Sequence, residues 1–571
     1  MNTVISYRTI GKVALLAACG GVLLGSAPAR AADVTYARLL HPEPQNWLMN
    51  HRDFGSHRYS PLAIINKSNV KNLKLAFALP LGGSSGNEYT EATPLVEDGF
   101  MYITDVWSVV YKIDVRSGTA GQVVWKMDPG VQKPDRNRGV ALWGNLVISV
   151  AGLDGRVIAT NKETGKVVWD KNLHDQPDME ITAAPLALDG TVIIGGSGGD
   201  NGVRCWLAAL DAKTGELKWK TFAVPAPGEP GSETWKDKVN AWQTGGGAFY
   251  VTGSYDPATN VTYWGSGNPA PRYDSAYRPG DNLFTDSTIA FDAATGKMKW
   301  YFQYTPNDIH DYDASGSQII ISSQAGGEQR KIVSLANRNG FQYSFDSGSG
   351  EFLKATQYAE KVDWTKGINA QTGKPLDYDQ TRDVQIYNNN WKGGTDKMVD
   401  SCPDVHGGTN YWPPSYSEKT HLLYIGGDEG CADIIPDRTA HVLGKFGGGG
   451  YVNHARITGS LTMLDPVSGK VKARKDLPYG DLSGVLTTAG GIVVTALLDG
   501  TIVAYDDETL EELWRINVGT GFDAPPMTYS VDGKQYIAIA SGLGPVGKAK
   551  LARSPERKFQ GNATMLYVFG L

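Results

Sequence analysis

The chain has 571 residues, and its 54 lysines and arginines stand against 60 aspartates and glutamates, so the formal net charge is −6. Hydrophobic residues make up 41% and charged residues 20%, a balance that excludes a disordered chain and a protein with many membrane spans. The absence of a basic excess argues against nucleic-acid binding. The 69 glycines and 27 tyrosines favour strands joined by tight turns, and therefore an all-β fold.

The N-terminal segment is typical of an export signal. Arg8 and Lys12 form a basic start, residues 13–26 are apolar but too few to span a bilayer, and an Ala-Arg-Ala cleavage pattern ends at Ala31. We therefore predict a signal peptide over residues 1–31, a periplasmic mature chain and no transmembrane segment.

Four cysteines bear on this assignment. Cys19 ends a Leu-Ala-Ala-Cys sequence that resembles a lipoprotein anchor, and lipid attachment there stays an alternative. In an oxidising compartment disulfides form, and we predict that Cys402 pairs with Cys431 and leaves Cys205 as a buried free thiol. The chain has no Cys-x-x-Cys-His sequence, so no covalently bound haem is expected.

One pattern then recurs along the chain: a strand ending in Asp, a turn with Ser/Thr-Gly, and a strand that often ends in Trp. Each copy is a hairpin signal, because Asp caps its own turn and Gly supplies a positive φ. Clear copies are KIDVRSGTAGQVVW from Lys112, ATNKETGKVVW from Ala159, ALDAKTGELKW from Ala209 and AFDAATGKMKW from Ala290, with weaker copies from Ser344, Met463 and Ala504.

The spacing of the copies indicates a repeat architecture. Most intervals are about 40–55 residues, the length of a four-stranded propeller blade. Seven copies and one unmarked blade predict an all-β, eight-bladed β-propeller that forms a single domain over residues 32–571. The recurring tryptophans are then expected at equivalent places between neighbouring blades: Trp169, Trp219, Trp300 and Trp514.

The repeats and the segments between them resemble the pyrroloquinoline quinone (PQQ) dependent alcohol dehydrogenases, the methanol and ethanol dehydrogenase family, whose blades carry a tryptophan-docking motif. The resemblance covers nearly all of the mature chain. It implies an oxidoreductase that transfers hydride from an alcohol to PQQ and passes electrons to a soluble cytochrome c or another external acceptor. A homodimer is ordinary for that family.

The resemblance also implies which residues do the chemistry. In the acidic segment 305–313, Asp311 matches the family's catalytic aspartate, and a carboxylate held beside a cation can take the alcohol proton. The implied metal ligands are Asp200, Asn268, Asp311 and Asp313. Asp200 stands where the family usually has Glu. An aspartate at position 313 is typical of lanthanide-type members, so we expect a lanthanide, with Ca²⁺ as the alternative.

The remaining matches lie where the family holds PQQ. Arginine and hydroxyl donors are the expected partners of its carboxylates and carbonyls. The implied cofactor-binding residues are Glu91, Arg138, Thr182, Ser197, Gly198, Gly199, Tyr250, Arg338 and Asn410.

Three features depart from the family pattern. Tyr250 stands where a tryptophan usually lies under the cofactor, and residues 132–135 lack the two adjacent cysteines that usually cover it. Leu482 and Val546 replace tryptophans that narrow the substrate entrance. These replacements favour substrates larger than methanol, namely bulky secondary alcohols, polyols or sugar alcohols.

A non-enzymatic propeller scaffold, like the lipoproteins of outer-membrane protein assembly, is the alternative function. It has the anchor-like motif at Cys19 in its favour. It gives no reason for Asp311, Asn268 and Arg338 to occur in the family's order.

Overall fold

The computed structural model describes residues 1, 32–82, 89–325, 328–387, 397–437, 447–454, 456–554, 556 and 562–571. The predicted signal peptide and the alternative anchor at Cys19 lie outside this part of the chain. Among the described residues there are two short α-helices, α1 (Tyr36–Leu40) and α2 (Pro545–Leu551), and single 3₁₀ turns at Val70–Asn72, Gly199–Asn201, Ser232–Thr234 and Ala241–Thr244. No helix among the described residues has the length and apolar character needed to cross a membrane.

The rest of the regular structure is β. Two strands come first, β1 (Tyr59–Ser60) and β2 (Lys74–Pro80), and four four-stranded meanders follow. Blade 1 has β3 (Leu95–Glu97), β4 (Phe100–Thr104), β5 (Val110–Asp114) and β6 (Gln122–Met127). Blade 2 has β7 (Ala141–Trp143), β8 (Leu146–Ala151), β9 (Arg156–Asn161) and β10 (Val167–Asn172). Blade 3 has β11 (Leu186–Ala187), β12 (Thr191–Gly195), β13 (Trp206–Asp211) and β14 (Leu217–Phe222), and blade 4 has β15 (Ser254–Asp256), β16 (Val261–Gly265), β17 (Ser287–Asp292) and β18 (Met298–Gln303).

The second half of the chain repeats this pattern with one insertion. Blade 5 has β19 (Ile319–Ala325), β20 (Glu328–Ala336), β21 (Phe341–Asp346) and β22 (Phe352–Gln357). Blade 6 has β24 (Ser415–Ser417), β25 (Leu422–Glu429), β28 (Thr458–Leu464) and β29 (Val471–Leu477). The strands β23 (Met398–Ser401), β26 (Ala432–Pro436) and β27 (Gly449–Asn453) form a separate sheet; β23 precedes blade 6 in the chain, and β26 and β27 lie between its second and third strands. Blade 7 has β30 (Leu486–Thr488), β31 (Ile492–Ala496), β32 (Thr501–Asp506) and β33 (Glu512–Asn517); blade 8 has β34 (Met527–Val531), β35 (Lys534–Ala540) and β36 (Met565–Gly570).

The N-terminal and C-terminal parts of the chain meet in the last two blades. β2 completes blade 8 by pairing antiparallel with β36, and β1 adds a fifth, parallel strand to blade 7. The described residues therefore form the predicted all-β propeller, with eight blade sheets. Pairing of this kind leaves no unpaired strand at the junction between the two ends of the chain.

The recurring tryptophans join neighbouring blades as expected. Their indole N–H groups donate to main-chain carbonyls of the next repeat, Trp169 to Ala212, Trp219 to Ala293 and Trp300 to Ser347, at 3.2, 3.0 and 3.0 Å. Each ring also lies on the turn glycine of that repeat, where a Cβ atom has no room: at Gly296 it would lie 2.4 Å from the ring of Trp219. Trp514 instead packs edge-on against Phe569 of β36, at 5.5 Å between ring centroids.

The strand order explains why the candidate residues meet. Strands alternate in direction within a meander, so the connection between the second and third strands lies at the same end as the connection to the next blade. Asp200, Asn268 and Arg338 lie between second and third strands, in blades 3, 4 and 5, whereas Glu91 and Arg138 precede the first strands of blades 1 and 2. All five therefore lie at one end of the ring.

Candidate active site

A cavity of about 410 Å³ opens at this end of the propeller. The residues predicted to bind the cofactor or the metal, or to act as the base, all contribute to its lining: Glu91, Arg138, Thr182, Ser197, Gly198, Gly199, Asp200, Tyr250, Asn268, Asp311, Asp313, Arg338 and Asn410. Val546 also lines the cavity. Leu482 is fully buried in a hydrophobic cluster with Leu543, so it supports the wall instead of forming it.

The centre of the cavity contains a cluster of carboxylates and guanidinium groups. Oδ1 of Asp311 lies 3.1 Å from Nη1 of Arg338, and Oδ2 lies 3.2 Å from Nη1 of Arg272. The same Arg338 atom lies 2.9 Å from Oδ2 of Asp313. Burial raises the pKa of Asp311 well above its ordinary value; the two guanidinium groups oppose this shift, and Asp200 and Asp313 add to it.

The turn that carries Asp311 is held by Asp308. The carboxylate of Asp308 is buried and accepts the main-chain N–H groups of His310, Asp311 and Tyr312 at 3.0, 2.8 and 3.1 Å. Asp311 adopts φ = +68°, a left-handed conformation that aspartate tolerates better than most residues. These bonds therefore hold the main chain from which the Asp311 carboxylate contacts the two guanidinium groups.

Besides its contact with Arg338, Asp313 is joined to two further predicted site residues. Its Oδ1 accepts the main-chain N–H of Asn268 at 2.5 Å, and its Oδ2 accepts the Tyr250 hydroxyl. The Asn268 amide in turn donates to Oδ1 of Asp200 at 3.2 Å. Burial raises the pKa values of both Asp313 and Tyr250. Tyr250 is thus both part of the cavity wall and a hydrogen-bond partner of the acidic cluster.

Arg138 organises the other side of the cavity. Its Nη1 donates to Thr182 Oγ1 at 2.9 Å and to the Tyr250 carbonyl at 3.0 Å, and its Nη2 lies 2.7 Å from Oε2 of Glu91. The guanidinium also lies over the ring of Tyr411, 5.0 Å from its centroid. A cation here is suited to hold an anionic, planar ligand.

Several polar atoms of the lining are buried and lack a hydrogen-bond partner among the described residues. They include Nε of Arg138, Nε of Arg338 and the Ser197 hydroxyl. Buried polar groups are rarely left unsatisfied. These atoms fit a ligand rich in carboxylates and carbonyl oxygens, which is the chemistry of PQQ.

Sequence reasoning missed several lining residues. They are Arg136, Glu180, Asn201, Ala248, Arg272, His406, Tyr411, Trp412, Asp523, Gly544 and Pro545. Arg272 and Tyr411 each had a usable signal, since they directly follow or closely follow the matched residues Asn268 and Asn410. Gly544 and Pro545 directly precede the matched residue Val546, whereas Asp523 had no such neighbour among the matched residues.

Cys402 and Cys431 form a disulfide with a Cα–Cα distance of 4.4 Å. It joins the end of β23 to the start of β26 in the inserted sheet. Cys205 is free and buried, and burial raises the pKa of its thiol.

Comparison with known proteins identifies the family of the chain. The model of the family described as "PQQ: Glucose/ethanol/alcohol dehydrogenase, beta-propeller domain" matches residues 47–362 and 450–537. The quinoprotein alcohol dehydrogenase PedH of Pseudomonas putida is 34% identical, covering 92% of this chain and 91% of that protein. Subunit 1 of the methanol dehydrogenase [cytochrome c] of Paracoccus denitrificans is 32% identical, covering 94% of this chain and 89% of that one.

A solved structure is similar over the same extent. A europium-containing methanol dehydrogenase superposes with a TM-score of 0.85 at 27% identity, covering 94% of this chain and 100% of that chain. Matches of this extent favour an enzyme over the non-enzymatic scaffold. The chain belongs to the family of PQQ-dependent alcohol dehydrogenases, oxidoreductases built on a β-propeller.

Proposed function

We propose that this protein is a periplasmic PQQ-dependent dehydrogenase that oxidises alcohols to aldehydes or ketones and passes electrons to an external cytochrome c or similar acceptor. Asp311 is the proposed base. The observation that carries the proposal is the position of its carboxylate, within 3.2 Å of two guanidinium nitrogens in the cavity where the predicted cofactor residues converge.

The proposed base has the surroundings that proton transfer needs. Burial raises the pKa of Asp311, while Arg272 and Arg338 favour its ionised form. Burial is the larger effect, so the pKa of this carboxyl group lies above its ordinary value, and a higher pKa makes a carboxylate a stronger general base. In this proposal the alcohol hydroxyl gives its proton to a carboxylate oxygen of Asp311.

The lining residues fit PQQ as the cofactor. Bound PQQ would supply the acceptor for the hydride of the alcohol carbon. Arg138, Thr182 and Ser197 supply donors suited to its carboxylates, and Arg338 supplies a fixed positive charge suited to the quinone oxygens. Glu91, Gly198, Gly199, Tyr250 and Asn410 complete the proposed cofactor site.

The acidic cluster fits a hard cation. Asp200, Asn268, Asp311 and Asp313 offer carboxylate and amide oxygens, the donors that Ca²⁺ and lanthanides prefer. The third carboxylate, Asp313, favours a trivalent ion on grounds of charge. The europium-containing relative supports a lanthanide at this site, with Ca²⁺ as the alternative. The ion would act as a Lewis acid.

The substrate class, partner and processing of the chain complete the proposal. Val546 at the cavity wall is smaller than tryptophan, which favours bulky secondary alcohols, polyols or sugar alcohols. The name of the Paracoccus relative includes cytochrome c, in line with an external acceptor. We also propose cleavage after residue 31, one domain over residues 32–571, and a homodimer.

Reconstitution tests the proposal. Protein freed of ligands would receive PQQ with Ca²⁺ or La³⁺, and dye reduction would be followed with primary, secondary, polyol and sugar alcohols. We expect quinone absorbance to appear on loading and turnover with the larger alcohols. Failure to reduce dye with any alcohol, together with no quinone absorbance, would contradict the proposed function.

One variant separates the two metals. Replacing Asp313 with Ala removes one carboxylate, and we expect La³⁺-dependent activity to be lost while Ca²⁺-dependent activity remains. Unchanged activity with both ions would show that Asp313 is not a ligand.

A further inference from the structure

Arg272 contacts two of the proposed metal ligands at once. Its Nη1 lies 3.2 Å from Oδ2 of Asp200 and 3.2 Å from Oδ2 of Asp311. One guanidinium therefore bridges carboxylates that come from blade 3 and from the segment after blade 4. Any cation bound by those carboxylates must share them with Arg272.

The main chain at Arg272 is held by the fold around it. The buried guanidinium of Arg278 donates to the carbonyls of Pro271 and Arg272 at 2.9 and 2.8 Å, and also to the carbonyl of Asp308. Arg278 thus ties the segment that carries Arg272 to the turn that carries Asp311. The Arg272 side chain is 23% exposed, and its guanidinium lies against the ring of Tyr273.

The charges around the cluster sum to about −1, so either ion leaves a positive excess and a trivalent ion leaves the larger one. Asp200, Asp311 and Asp313 contribute three negative charges, and Arg272 and Arg338 contribute two positive ones. A divalent ion brings the sum to about +1 and a trivalent ion to about +2, before a cofactor is counted. The Arg272 guanidinium beside the ion therefore repels a trivalent cation more strongly than a divalent one.

We propose that Arg272 sets the ion selectivity of this site by competing for Asp200 and Asp311, and that it disfavours trivalent ions relative to Ca²⁺. This inference rests on the proposed metal site and opposes the effect proposed for Asp313. Arg272 acts here through shared carboxylates, so it is a specificity-determining residue for the metal and not a catalytic one.

The expected sizes follow from the charges. Coulomb repulsion is proportional to the charge of the ion. Removing Arg272 should therefore raise the binding affinity for both ions, and the logarithm of that increase should be about 1.5 times as large for a trivalent ion as for a divalent one. If Arg272→Gln raises Ca²⁺ affinity about tenfold, it should raise Tb³⁺ affinity about thirtyfold. Arg272→Lys keeps the charge and should keep most of the selectivity.

Metal titration of the full chain tests this without measuring turnover. Tb³⁺ binding would be followed by luminescence sensitised by the protein's aromatic residues, and Ca²⁺ binding by displacement of Tb³⁺, with and without PQQ. Arg116→Gln is the matched control, because Arg116 is exposed and paired with Asp114, away from the cavity. Melting temperatures would verify that each variant folds.

We expect Arg272→Gln to bind both ions more tightly, with the larger gain for Tb³⁺, and Arg116→Gln to match the wild type. Equal gains for the two ions, or weaker binding by Arg272→Gln, would overturn the inference and leave the proposed function standing. A wild-type chain that binds neither ion would overturn both this inference and the proposed metal site. The quinone absorbance on loading with PQQ would then still test, independently, whether the chain binds the cofactor.

Discussion

Asp308 accepts the main-chain N–H of Asp311 through Oδ2 at 2.8 Å, and this bond helps to hold the proposed base at φ = +68°. The side chain of Asp308 is fully buried and also serves the two neighbouring N–H groups. The orientation of the base is therefore determined by a residue that the substrate does not reach.

Replacing Asp308 with Ala should lower kcat more than it raises KM. Loss of three accepted hydrogen bonds frees the turn, and a displacement of about 1 Å of a reacting group can cost about a hundredfold in rate. Steady-state kinetics of the reconstituted enzyme check this. Asp308→Asn, which keeps one acceptor oxygen, should be less impaired; equal loss in both variants would contradict a positioning role.

Asp311→Asn should abolish most of the turnover and leave the fold intact. The amide cannot accept the alcohol proton, and a general base contributes about 10² to 10⁴ in rate. Dye-linked activity and the melting temperature measure the two effects. Activity within a few fold of the wild type would reject Asp311 as the base.

The docking of tryptophan on glycine should be visible in stability. Gly296 and Gly533 both have positive φ, +68° and +72°, but only at Gly296 would a Cβ meet a neighbour, the ring of Trp219 at 2.4 Å. Alanine at Gly533 should cost about 1–2 kcal/mol from the left-handed backbone alone. Alanine at Gly296 should cost about 1–3 kcal/mol more from overpacking. Denaturant midpoints of the two variants give the difference, and equal midpoints would argue against a docking role for the glycine.

His57 should make stability depend on alkaline pH. Its Nδ1 lies 3.3 Å from Asp53 and 3.4 Å from Glu418, and Nε2 lies 2.6 Å from the Ile320 carbonyl. Burial by itself lowers the pKa of His57, but Asp53 and the hydrogen bonds outweigh it and raise the pKa from 6.5 to about 10.

A histidine whose pKa is higher in the folded chain takes up a proton on folding. Its contribution to the free energy of unfolding is therefore complete below pH 6.5 and is lost as the pH rises toward about 10. Between pH 6 and 10 the free energy of unfolding of the wild type should fall by about 1–2 kcal/mol more than that of His57→Gln. This expected difference is kept small because Glu418 is exposed and solvent weakens its interaction with His57. Parallel stability curves for the two proteins would refute this assignment.

Local sequence was sufficient for the repeat and for the type of chemistry. The Asp-x-x-Thr-Gly turn and its tryptophan determine a hairpin and its contact with the next blade, because both depend on residues within one repeat or between adjacent ones. The residues matched to the family's cofactor, metal and base positions all line one cavity, since each lies on a connection at the same end of its blade.

The sequence by itself thus determined the class of fold, the number of blades and the kinds of side chain in the site. Only the tertiary structure decided that Arg272 bridges Asp200 and Asp311, that Asp308 orients the base, and that Leu482 lies behind the cavity wall. These contacts join loops that different blades place side by side. Their distances depend on how the ring closes through β2 and β36, and no local pattern of residues encodes a distance of that kind.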